Sequence, residues 1–76
     1  MEVKKTIDAS GLSCPLPIVK LSQGIKEIGI GEVIEIIATD QSFVPDVEAW
    51  CRKTGNTLLE IKNEEEKIRA FIKKEK

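Results

Sequence analysis

The stretch TLLEIK-NEEE-KIRAFIKK, residues 57–74, decides the architecture of this 76-residue chain. Eleven of the last seventeen residues are charged, which by composition alone describes a solvated tail. The order of the residues argues otherwise. Ile68, Ala70 and Ile72 alternate with Arg69, Phe71 and Lys73, the period of two expected of a strand with one wet face. Residues 57–62 and 67–74 are therefore expected to be two strands, joined as a hairpin through a loop of about four residues at 63–66.

Upstream, the same periodicities alternate. Val3 to Asp8 reads as a strand, with Val3, Lys5 and Ile7 on one side and Lys4, Thr6 and Asp8 on the other. From Pro15 to about Ile28 the apolar residues Ile18, Leu21, Ile25 and Ile28 recur at helical spacing, weakened by Gly24 and stopped by Gly29 and Gly31. Glu32 to Thr39 is a Val/Ile-rich strand. A second helix is expected from Phe43 to Thr54, with Ser42 as N-cap, Pro45 in the tolerated first turn and Gly55-Asn56 as the stop. The order is βαβαββ over one domain, residues 1–76. Two amphipathic helices cannot cover both faces of four strands, so the expected fold class is an α/β two-layer sandwich. It has a four-stranded mixed sheet with both helices packed on one face. Val33, Ile37, Leu58 and Phe71 would lie among charges on the open face.

Composition narrows the chemistry. Twelve Lys and Arg against thirteen Asp and Glu leave a net charge of −1, without the broad positive field of a nucleic-acid binder. Direct nucleic-acid binding and membrane association are not expected. No apolar run approaches the roughly 18 residues of a membrane-spanning helix, and the start is not a signal-peptide apolar region, so a cytoplasmic location is expected. Histidine and tyrosine are absent, which removes Ser/His and Cys/His nucleophile pairs and histidine metal sites. The two cysteines form neither a C-x-x-C pair nor a zinc spacing, so neither a metal nor another cofactor is expected.

Cys14-Pro15-Leu16-Pro17 is the most unusual string. Proline favours the first helical position and pushes the residue before it out of helical geometry, which places Cys14 at the N-cap. There the helix dipole favours thiolate, lowering the thiol pKa by about one unit or less, or somewhat more where the site is partly buried. Cys is not a favoured N-cap, which argues for chemistry rather than capping. A rigid, presented thiol with no base and no metal is poorly equipped for hydrolysis. It is well suited to attack a persulfide, because the donor thiolate is a good leaving group. Asp40, Gln41 and Ser42 follow the second strand and are expected to flank Cys14 at the same sheet edge, as site residues or as turn and cap residues. Asp8 and Gly11 shape the loop before Cys14. Cys51 falls on the Val44, Val47 stripe and is expected to be buried, about 12 Å along its helix from the site edge and out of disulfide reach of Cys14.

The residues Ile7-Asp8, Gly11-Leu12 and Cys14-Pro15-Leu16-Pro17 together resemble the signature of the TusA/SirA-like sulfur carriers, along the whole chain. The resemblance implies a persulfide carried on Cys14. It also implies two kinds of partner: a sulfur donor protein, either a cysteine desulfurase or rhodanese-like, and a sulfur acceptor protein in a relay such as tRNA thiolation or sulfur oxidation. Leu16 is apolar where the tRNA-thiolation members carry an acidic residue. The rival reading is a non-catalytic protein- or RNA-interaction module, against which stands the scarcity of strand aromatics, with Phe71 alone available for base stacking.

Overall fold

The structure, a computed structural model, describes residues 2–76, so that Met1 of the expected domain lies outside the described residues. Its elements are β1 (Val3–Ala9), α1 (Leu16–Gly24), a 3₁₀ turn (Ile25–Glu27), β2 (Val33–Ala38), α2 (Phe43–Thr54), β3 (Thr57–Glu64) and β4 (Lys67–Lys73). The four strands form one sheet in the order β1-β2-β4-β3. β1 and β2 are parallel, while β4 pairs antiparallel with both β2 and β3. This is the expected mixed sheet.

Alternation sorts the strand residues into two faces. Ile34, Ile36, Ala70 and Ile72 are fully buried and share one core with Leu21 and Ile25 of the first helical segment and Phe43, Val47 and Cys51 of α2, so both helices cover the same face. Each large aliphatic side chain buried here contributes about 1.5–3 kcal/mol of transfer free energy. The other face is open and charged. Arg69 reaches Glu35 at 3.0 Å and Glu64 at 2.6 Å, and Thr6 donates to Glu35 at 3.1 Å. Phe71 belongs to this face but is only 8% exposed, with Lys62 Nζ 5.5 Å from its ring centroid.

Four expectations are corrected. The first helix is shorter than Pro15–Ile28. It runs from Leu16 to Gly24 and then tightens into the 3₁₀ turn, a common way for the last carbonyls of a helix to find partners. At Gly24 α1 lies close against β1, because a Cβ there would lie 2.3 Å from Ile7 Cδ1. Leu58 faces the helices rather than the open side: Leu58 pairs with Ile72, but the next partner, Phe71, is matched by Glu60. The extra residue, Leu59, is a bulge that reverses the parity of the strand and stands 41% exposed. The hairpin loop is two residues long, not four. Asn63 pairs with Ile68 and Glu64 with Lys67, leaving Glu65 and Glu66 to turn the chain, Glu65 at φ +48°. Ser42 does cap α2 in position, and Gly55 ends the helix at φ +82°, where glycine is favoured. The Ser42 hydroxyl makes no cap bond, however, and donates instead to Asp40 at 2.9 Å.

Candidate active site

Because β1 and β2 are parallel and in register up to the Ala9–Ala38 pair, the chain leaves both strands at one edge of the sheet. The two loops that follow are laced together. Gly11, at φ +80°, donates its N–H to Thr39 Oγ1 at 2.9 Å. Cys14 donates its N–H to Asp40 Oδ2 at 3.0 Å. The other oxygen of Asp40 accepts from the Ser42 N–H at 3.0 Å and the Ser42 hydroxyl at 2.9 Å. The Cys14 N–H, followed by the two Ser42 bonds, holds the Asp40 carboxyl below the usual carboxylate range. Asp8 stiffens the start of the first loop by accepting the Ser10 N–H at 3.0 Å.

Cys14 is exposed, as expected, but it is not the N-cap. Pro15 occupies the cap and the helix begins at Leu16, with Pro17 buried in its first turn. A sulfur acting as cap would need the N–H of residue 16 or 17. Pro17 has none, and Leu16 gives its own to Ser13 O at 2.9 Å. The thiol turns instead to α2 and donates to Asp46 Oδ2 at 2.9 Å. This hydrogen bond, then desolvation, then the charges of Asp46 and Asp40, push the Cys14 thiol up from its ordinary pKa. The expected lowering by the helix dipole is thereby overturned: a bonded carboxylate outweighs a helix end whose donors are missing or occupied.

An open groove of about 290 Å³ leads away from the sulfur between the helices, lined by Cys14, Pro15, Ile18, Asp46, Ala49, Trp50 and Lys53. Leu16 and Val19 of α1 stand 47% and 41% exposed. Trp50 packs against the core and also walls this groove. Gln41 contributes its backbone carbonyl to the Val44 N–H at 3.4 Å. Cys51 is 3% exposed, both cysteines are free, and burial pushes the Cys51 thiol up to about 11. Among the described residues no cluster of metal ligands occurs.

Of the residues singled out in the sequence, Cys14, Pro17, Asp40 and Ser42 converge on one small pocket together with Asp46. Asp8 and Gly11 act on the loop, not on the sulfur. Asp46 and Thr39 were not anticipated. Asp46 lies four residues before Trp50 and seven before Lys53, so helical spacing alone puts the three on one face. The missing information was which face of α2 turns to Cys14.

The family model described as "Sulfurtransferase TusA" matches residues 5–74. The sulfur carrier protein TusA of Allochromatium vinosum is 44% identical over 68 residues, 90% of this chain and 90% of that protein. A longer protein of Aquifex aeolicus that also bears a sulfur-carrier name is 43% identical over 70 residues, and this chain spans only 36% of its length. The crystal structure of a SirA-like protein from Desulfitobacterium hafniense superposes with a TM-score of 0.80 over 95% of this chain and 99% of that one, at 19% identity, a likeness of fold.

Proposed function

The chain belongs to the TusA sulfurtransferase family, and from that membership and the site we propose that it is a sulfur carrier that holds sulfane sulfur as a persulfide on Cys14. It receives the sulfur from a donor protein, a cysteine desulfurase or a rhodanese, and passes it to an acceptor protein. The observation that carries the reading is the exposed thiol of Cys14, fixed by its own N–H on Asp40 at the mouth of an apolar groove. No metal cluster lies near it among the described residues, and the second thiol is buried. Persulfide exchange needs only a thiolate, a donor sulfur and a thiolate leaving group. A disulfide oxidoreductase would need a resolving cysteine beside it. Against the RNA-binding reading stands Phe71, too well covered to offer its ring face to a base. No helix is long and apolar enough to cross a membrane.

The test is mass spectrometry of the reduced protein after incubation with a cysteine desulfurase and cysteine, or with a persulfidated rhodanese. One sulfur atom should be gained, on Cys14. Cys14→Ser should remain folded and gain none, and Cys51→Ser should still load. Loading of folded Cys14→Ser, or none in folded Cys51→Ser, overturns the assignment of Cys14.

A further inference from the structure

The surroundings of the Cys14 sulfur are lopsided in charge. The loop before α1 and the facing turn of α1 bring Pro15, Pro17 and Ile18, none of them charged. The loop before α2 brings Asp40 and Ser42. α2 brings Asp46 at 2.9 Å, and Lys53 further along the groove. Among the described residues neither Asp46 nor Lys53 has a salt-bridge partner. Asp46 thus presents an uncompensated carboxylate, half-buried at the groove mouth and bonded to the sulfur that must react.

We propose that Asp46 is a positioning residue that keeps Cys14 closed in the free protein, and that partners open it by placing a lysine or arginine against the Asp46 carboxylate. This rests on the sulfur-carrier reading above. In uptake, Cys14 Sγ bonds to the terminal sulfur of the donor's R–S–SH and the donor S–S bond breaks. The bonding pair leaves on the donor's sulfur, which takes the proton that Cys14 gives up. The sum is Cys14–SH plus R–S–SH giving Cys14–S–SH plus R–SH, with one S–S bond made and one broken and no external oxidant. Delivery is the same exchange run toward an acceptor thiol. Each direction passes through a Cys14 thiolate, as attacker on loading and as leaving group on delivery. An anion in contact with the sulfur penalises both, so the empty carrier resists stray electrophiles and the loaded one resists stray thiols. A cation against Asp46 removes the penalty in both directions, and it selects partners by charge.

Small disulfides of different charge test this without a protein partner. The rate of Cys14 mixed-disulfide formation with dicationic cystamine is compared with that for neutral 2-hydroxyethyl disulfide, each normalised to the same reaction of 2-mercaptoethanol. The expected result is a several-fold preference for cystamine at about 0.01 M salt that shrinks toward unity at about 1 M, where the screening length is about 3 Å. Asp46→Asn should lose most of the preference and lower the apparent pKa of Cys14 alkylation, raising the thiolate fraction at neutral pH. Asp46→Ser should do the same without an amide near the sulfur. A merely structural role would leave the charge preference and the pH profile where they are. Both variants folded, with both readouts unchanged, overturn the proposal. Unchanged readouts with normal loading from a persulfide donor would sink Asp46's role alone; shifted readouts with no loading from any donor would sink the carrier reading alone.

Discussion

Replacing Gly24 by alanine, alone and together with Ile7→Val, probes the contact that seats α1 on the sheet. An added Cβ would lie 2.3 Å from Ile7 Cδ1, 3.2 Å from Ile34 Cδ1 and 3.3 Å from Ile7 Cγ1. Alanine raises helix propensity by about 1 kcal/mol over glycine, while overpacking costs about 1–3 kcal/mol. With the shortest contact falling on the end of one side chain, the overpacking is taken at about 2 and Gly24→Ala should lose about 1 kcal/mol net. Ile7→Val removes that same Cδ1 and alone should cost about 1 kcal/mol. In the double variant the new methyl occupies the space Cδ1 vacated, the remaining contacts are above 3 Å, and the helix keeps its gain in propensity. It should lie within about 0.5 kcal/mol of the parent, a coupling of about 2 kcal/mol between the two sites. Urea unfolding at constant m measures this, and each kcal/mol shifts the thermal midpoint by about 4–8 °C in a domain of this size. Single effects that add to within about 0.3 kcal/mol would refute the close approach of helix to strand.

Two further outcomes concern the site and its neighbours. Asp40 has its pKa depressed in the folded protein, so between the folded and unfolded values the unfolded chain binds more protons. Its stabilising contribution is therefore full above the unfolded value near 3.8 and is lost as pH falls through the folded one. Asp40→Asn should flatten the acid limb of stability below about pH 4, measured by urea midpoints across pH. The Cys51 thiol, at about 11, should carry a thiolate fraction of about 10⁻⁴ at pH 7 and should resist iodoacetamide until denaturant opens the core, whereas Cys14 reacts in the native protein. Equal native rates at the two thiols, resolved by peptide mass mapping, would contradict the burial of Cys51.

The periodicities of the chain determined most of its architecture. Ile68, Ala70 and Ile72 alternate with Arg69, Phe71 and Lys73, and a period of two permits one buried face, which they take. The Val47–Cys51 spacing of four predicted burial on a helix stripe, and both are buried. The parallel pairing of β1 and β2 follows from a strand–helix–strand order, and it is enough to bring Cys14 and Asp40 to one edge. All of these are local patterns or direct consequences of connection order.

Tertiary structure decided what depends on partners far apart in the chain. Leu58 changes face because β3 bulges at Leu59 to stay paired with β4, a matter of strand register that β3's own pattern does not contain. The state of Cys14 departs from its local expectation for a related reason. The C-P-x-P string read locally gives the helix dipole, whereas the carboxylate that touches the sulfur, Asp46, lies 32 residues away in the chain. A helix end exerts a fractional charge through N–H groups, and here one is spent on Ser13 and another is lost to proline. A carboxylate in hydrogen-bond contact exerts a full charge at 2.9 Å. Which face of α2 meets the sulfur, and so whether that charge arrives, is settled only when the two helices pack side by side on the sheet.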